Sequence, residues 1–314
     1  HLGKERTAVC CLSSVNLEKW DEWSTDTNFI QDVMRFLDNV LEDFIENAPE
    51  SMKNAVYSAR RERSVGLGAM GFHSFLQKKG IPFESALAKS WNTKFFRHLK
   101  QEADKASVIL AIEKGACPDA DDMDVKARFS HKLAIAPTAS ISIICGGTSA
   151  CVEPIPANIY THKTLSGSFT VKNKYLERIL EEKNINNEKT WQSIIENDGS
   201  IAHLEQLSED EKKCFKTAFE IDQRWIIEMA ADRTPFICQS QSINLYLSAD
   251  IDKWDLMMLH WKAWELGIKS LYYCRSKSIQ RASYAGVEAD NTKNWPEKNI
   301  SGSKTDYEEC LSCQ

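Results

Sequence analysis

Four groups of side chains in this 314-residue chain combine types and spacings that could do chemistry. Cys310 and Cys313 form a CxxC pair just before the last residue, Gln314, after a polar stretch from Ala285 to Glu309 with few apolar anchors. Two thiols at that spacing can close a reversible disulfide. A segment too polar to bury surface cannot offset its ordering entropy, so the pair predicts a dithiol on a mobile arm that carries reducing equivalents. Cys10 and Cys11 stand side by side near the other end. Pro137-Thr138-Ala139-Ser140-Ile141-Ser142 closes an apolar run and precedes Gly146-Gly147-Thr148-Ser149. Backbone N–H groups beside Thr and Ser hydroxyls can cradle a phosphate, and the same pattern can equally be an ordinary helix cap. Without the Lys of a Walker loop, triphosphate chemistry is not implied. Tyr272 and Tyr273 are phenols that can lose an electron and a proton together, and an ordinary pKa of about 10 keeps them protonated beforehand. On a strand one of the two should be core and the other exposed, which is the plain packing reading.

The elements that must position these groups follow from periodicity. Thr7 to Val15 reads as a strand, and Phe29 to Ile45 places apolar residues at helical spacing. Trp91 to Lys114 is a long amphipathic helix ended by Gly115 and followed by Pro118. Leu133 to Ala136 is a short buried strand broken by Pro137, resuming as the apolar stretch Ile141 to Cys145. Tyr175 to Glu182, Glu188 to Glu196, Glu209 to Ala231 and Trp254 to Leu266 read as helices, and Ile268 to Cys274 as a final strand. Short strands alternating with long helices argue for an α/β fold with parallel pairing.

Gly66-Leu67-Gly68-Ala69-Met70-Gly71 matches G-x-G-x-x-G, but Arg60 to Arg63 before it makes a poor buried strand, so the glycines predict close packing at a helix start. His73, His98, His131, His162, His203 and His260 lack ligand-type neighbours and read as structural. Gln239 to Asn244 could bind a ligand, but reads first as a satisfied buried network or turn.

Composition narrows the class. A hydrophobic fraction of 42% and a charged fraction of 27% are those of a globular domain. The net charge of −6 opposes a mainly electrostatic nucleic-acid binder, and no apolar run reaches the length of a membrane span. Ten cysteines at irregular spacing, without a signal-peptide pattern, predict a reducing, cytoplasmic setting. Most of them, including Cys117, Cys145, Cys151, Cys214 and Cys238, read as small buried apolar residues. The first residue is not Met and a strand follows almost at once, so the chain reads as a piece of something larger. Residues 1–284 form the expected globular part and 285–314 the tail.

Taken together, TAVCCLSSVNL, RSVGLGAMGF, IAPTASISIICGGTSACVEPIPANIYTHKTLSGSF, MAADRTPFICQSQSINLYL, GIKSLYYCRSKS and the terminal CLSC resemble the C-terminal part of the class I ribonucleotide reductase large subunit. The resemblance implies the second half of a ten-stranded α/β barrel, with many surrounding helices and a flexible redox-active tail. It assigns Cys10 as one of two cysteines that reduce the ribose and become a disulfide, with Cys11 beside it where the family usually has another residue. It puts the substrate diphosphate on the loop Thr138 to Ile141, flanked by Pro137 and Ser142. Ala139 replaces an acid that some relatives carry there, a change compatible with an anion site. Tyr272 and Tyr273 match the stacked tyrosines that relay a radical from the small subunit. Cys310 and Cys313 match the thiols that re-reduce the active-site disulfide and are recharged by thioredoxin or glutaredoxin.

The family's thiyl-forming cysteine lies in an Asn-x-Cys-x-Glu loop, and no such motif occurs in this sequence. The resemblance therefore implies a complementary N-terminal half, on a split or longer protein, that supplies this cysteine, the partner of Cys10 and the sites for ATP and dNTP effectors. No cofactor is expected on this chain itself; the di-metal centre and tyrosyl radical belong to the small subunit. Two rival readings are a structural zinc module built from Cys10, Cys11, Cys310 and Cys313, and a regulatory paralogue without catalysis. Adjacent cysteines are awkward tetrahedral ligands. A decayed copy has no reason to keep both tyrosines and both tail thiols.

Overall fold

The computed structural model describes residues 5–164 and 167–276. The first strand, β1 (Leu12–Asn16), leads through the one-turn helix α1 (Trp20–Trp23) into α2 (Phe29–Asn47). On α2 the buried Ile30, Met34, Leu37, Leu41 and Ile45 recur every three or four positions, which gives one stripe facing the core. α3 (Lys53–Glu62) then returns the chain to β2 (Gly66–Met70), α4 (Phe72–Lys78) and the long α5 (Ala86–Lys114), which packs against α2. α5 begins five residues before the expected Trp91 because the Ser85 side chain caps the Ala88 N–H.

After α6 (Pro118–Asp121) and α7 (Ala139–Ile144) comes an antiparallel hairpin, β3 (Ile159–Thr164) with β4 (Gly167–Lys172). Four helices follow: α8 (Lys174–Glu182), α9 (Glu188–Glu196), α10 (Glu209–Cys214) and α11 (Gln223–Arg233). The described chain closes with β5 (Leu245–Leu247), α12 (Lys253–Glu265) and β6 (Cys274–Ser276).

Five extended segments run parallel in chain order. β1 pairs with β2 from Leu12↔Gly66 to Asn16↔Met70, Leu67 bridges Leu133, Ile135 bridges Gln241, and β5 pairs with β6. Each step crosses through helices, as parallel pairing demands. The result is half of an α/β barrel, and β1 and β6 are its outermost strands among the described residues.

Several local expectations are corrected. Gly66–Met70 is a fully buried strand, and only Gly71, at φ 80°, stands at the start of a helix. The glycines serve backbone approach: a Cβ on Gly68 would lie 2.3 Å from the Ala134 carbonyl oxygen. Ile141 to Ile144 is helix, because Thr138 at φ 53° turns the chain and accepts the first helical bond from Ser142 N–H. The expected helix from Glu209 to Ala231 is two, interrupted where Ala218 N–H donates to the Ile155 carbonyl and Asp222 caps α11. β1 starts at Leu12 rather than Thr7, and the last strand is confined to Cys274–Ser276.

One buried charge cluster locks the first crossover. Asp38, fully buried on α2, receives Arg63 Nε at 3.0 Å, Arg128 Nε at 2.9 Å and Lys114 Nζ at 3.1 Å. Burial pushes its carboxyl up, but the Arg128 bond and the Arg63 charge outweigh that and hold it below the ordinary range.

Candidate functional site

The expected phosphate loop begins where the third parallel segment ends. Thr138 is buried, and its Oγ1 accepts the Cys151 N–H at 2.7 Å. Ala139, Ser140 and Ile141 are exposed on the first turn of α7, while Ser142 is buried and donates to the Ala139 carbonyl. The helix's own ladder starts at Ser142 N–H, so the preceding N–H groups point out of its N-terminal end. Beyond α7 the loop is tied to β1. Asn16 accepts the Thr148 hydroxyl at 3.3 Å and donates to the Cys145 carbonyl at 3.4 Å. Ser149 and Ser74 exchange two hydrogen bonds, at 3.0 and 2.8 Å. A cavity of about 400 Å³ opens between this loop and the β3–β4 hairpin, with Ser142, Thr148, Lys172 and Tyr175 on its walls.

Cys10 is exposed, two residues before β1, whereas Cys11 is buried with its thiol directed at the Leu37 carbonyl, 3.6 Å away. Burial first, then the proximity of Cys10 and Asp38, pushes the Cys11 thiol up. Cys10 thus precedes β1 while the loop follows the third parallel segment, so the two groups flank different strands at opposite ends.

Tyr272 and Tyr273 are both exposed, with ring centroids 4.1 Å apart at an interplanar angle of 52°. The alternation expected of a strand is broken by a bulge. In a regular parallel ladder the residue that donates to the Ile243 carbonyl would also accept the Leu245 N–H; here Tyr272 N–H donates to Ile243 while the Tyr273 carbonyl accepts Leu245 N–H. The β6 side therefore spends one residue more than the β5 side over that step, and two consecutive side chains come to the same face. The guanidinium of Arg275 lies 5.6 Å from the Tyr273 ring centre.

Sequence reasoning missed Glu153. It is buried, its two oxygens accept Asn244 Nδ2 at 2.9 Å each, and its Oε2 accepts the Tyr246 hydroxyl at 2.7 Å. Burial raises its carboxyl, against the Tyr246 and Asn244 hydrogen bonds and the Arg275 and Arg233 charges. Its only sequence signal is an acid inside an otherwise small, apolar stretch. The Gln239 to Asn244 network is as expected: Gln239 donates to the Val65 carbonyl at 2.8 Å, and Gln241 accepts Arg233 Nε at 2.6 Å.

Cys310, Cys313 and the domain boundary at 284/285 lie outside the described residues. Among the described residues no group of three His, Cys, Asp or Glu side chains is placed to hold a metal ion, and no helix is long and apolar enough to cross a membrane.

A family model for the ribonucleotide reductase barrel domain matches residues 2–126 and 123–274. The chain belongs to the ribonucleotide reductase barrel-domain family. A ribonucleoside-diphosphate reductase large subunit of Invertebrate iridescent virus 6 is 51% identical over 283 residues, covering 88% of this chain and 29% of the relative. A putative large subunit of Frog virus 3 is 42% identical over 313 residues, covering 99% of this chain and 53% of the relative. In solved form, the class Id ribonucleotide reductase alpha subunit of Actinobacillus ureae matches with a TM-score of 0.81 at 39% identity, over 89% of this chain and 52% of that one. The chain thus spans from under a third to about half of the relatives' length, and the reductase fold accounts for the parallel half-barrel.

Proposed function

We propose that this chain is part of the catalytic large subunit of a class I ribonucleoside-diphosphate reductase, acting with a complementary N-terminal half and a radical-generating small subunit. The observation that carries the reading is the Tyr272–Tyr273 pair. Packing gives no reason to bring two consecutive phenols to one exposed face at 4.1 Å, whereas stepwise radical transfer requires adjacent redox side chains. In each step a phenol gives up one electron and one proton and the preceding radical takes both, until a thiol of the complementary half becomes thiyl.

The remaining groups have separate tasks in this reading. Pro137 to Ser142 holds the substrate diphosphate on hydroxyls and backbone N–H groups. Cys10 and a cysteine of the other half give two electrons and two protons to the ribose. The 2′-oxygen leaves as water, carbon gains hydrogen, and the two sulfurs join. Exposure of Cys10 and burial of Cys11 support the former as the redox thiol. Cys310 and Cys313 then reduce that disulfide by exchange and are recharged by thioredoxin or glutaredoxin. The di-metal centre stays in the small subunit, and ATP and dNTP effectors bind the other half. α12 exposes Trp254, Trp261 and Trp264 immediately before the tyrosines, an apolar face suited to receiving the small subunit.

The test is reconstitution. This chain alone should reduce no ribonucleoside diphosphate, and turnover should appear when a chain carrying Asn-x-Cys-x-Glu and the small subunit are added. Turnover by the isolated polypeptide would sink the reading.

A further inference from the structure

The bulge that brings the tyrosines together leaves a backbone group in need of a partner. Between the Tyr272 N–H bond to the Ile243 carbonyl and the Leu245 N–H bond to the Tyr273 carbonyl, the Tyr273 N–H has no place in the β5–β6 ladder. It donates instead to Asn244 Oδ1, at 3.2 Å. A side-chain amide could present either end to this N–H, and only its oxygen can accept. Asn244, itself 2% exposed, has its nitrogen committed to Glu153, whose two oxygens take it at 2.9 Å each. Glu153 is in turn fixed by Tyr246, whose hydroxyl donates to Oε2 at 2.7 Å.

We propose that Glu153 and Asn244 are positioning residues for radical transfer: Glu153 orients the Asn244 amide so that its carbonyl pins the bulge holding Tyr272 against Tyr273. The proposal rests on reading the tyrosine pair as a radical relay. Glu153 also lies two residues after Cys151, whose N–H is held by Thr138. One short segment therefore braces both the expected phosphate loop and the relay, although Glu153 touches neither substrate nor either of the relay phenols Tyr272 and Tyr273.

The test uses the complete large subunit assembled with its small subunit. Glu153→Gln gives position 153 a nitrogen donor of its own, which lets the Asn244 amide reverse. Asn244→Leu removes the acceptor altogether. Each should lower kcat by about tenfold to a hundredfold with little change in substrate KM, the cost of ångström-scale misplacement. Each should equally lower the yield of the radical trapped on an aminotyrosine at position 273, read by electron paramagnetic resonance. In the double variant Glu153→Gln with Asn244→Asp the amide nitrogen at 153 donates to the carboxylate at 244, the amide oxygen at 153 still accepts the Tyr246 hydroxyl and the carboxylate still accepts the Tyr273 N–H. One of the two contacts between 153 and 244 is lost, and both signals should recover well above either single variant.

Wild-type kcat and radical yield in the single variants would overturn the proposal, as would failure of the double variant to recover. Where Asn244→Leu does not fold, Glu153→Gln, nearly identical in size, decides the question. Tyr273→Phe separates the two levels. Retained turnover in that variant overturns the relay reading itself, whereas a dead Tyr273→Phe beside a fully active Glu153→Gln overturns only the brace.

Discussion

Cys11 directs its sulfur at the Leu37 carbonyl, 3.6 Å away, while the adjacent Cys10 lies exposed ahead of β1. Only one of two neighbouring thiols is therefore offered to a reaction partner, and burial keeps the other protonated.

This asymmetry predicts selective alkylation. Brief treatment with a maleimide at neutral pH, followed by peptide mass mapping, should label Cys10 well before Cys11. In the reconstituted enzyme Cys10→Ser should abolish multiple turnover, and Cys11→Val should retain it. Loss of turnover through Cys11→Val in a normally folded protein would reverse the assignment.

The tail gives an independent redox prediction. Replacing both Cys310 and Cys313 with Ser should stop turnover driven by thioredoxin and spare turnover driven by a small dithiol that enters the barrel directly. Equal loss with both reductants would remove the shuttle role.

His73 predicts a pH dependence of stability. It is fully buried, its Nδ1 accepts the Ile155 N–H at 3.0 Å, and desolvation pushes its pKa from 6.5 down to about 3. Below pH 6.5 the unfolded chain takes up a proton that the folded chain refuses, so folding stability should fall as pH drops from 6.5 towards 3. The slope contributed by one such group approaches about 1.4 kcal/mol per pH unit. Urea titrations between pH 7 and 5 measure it, and His73→Asn should flatten the dependence. An unchanged slope in His73→Asn would show that other groups carry it.

Gly68 predicts a packing cost. In Gly68→Ala the new methyl would meet the backbone oxygen of Ala134 at 2.3 Å, which no side-chain rotation relieves. The expected destabilisation is about 1–3 kcal/mol by denaturant titration. Full stability in Gly68→Ala would mean that β2 and the third segment can separate at little cost.

The sequence made the amphipathic elements legible because their signal is local. The stripe on α2 and the Gly115 stop of α5 can be read within one or two turns, whereas apolar spacing starts α5 at Trp91 and passes over the Ser85 cap. β2 was hidden because a strand of Gly, Leu and Ala carries none of the β-branched residues that mark strands. Its glycines make sense only beside Ala134, far along the chain. The candidate phosphate loop, Cys10 and the tyrosines stood out through their residue types. The bulge did not, because it exists only in the register between Ile243 and the segment before Cys274. Glu153 escaped for the same reason: its partners, Asn244 and Tyr246, lie some ninety positions away.

The half-barrel ends in β1 and β6, whose outer hydrogen-bonding groups have no strand beside them among the described residues, and Leu12 on β1 is exposed. Such an edge is a template for any extended chain that reaches it. If the proposed complementary half supplies the missing strands, polypeptide that has not yet met it is prone to pair with copies of itself through this edge, so the surface proposed to complete an enzyme is also the one that would drive self-association.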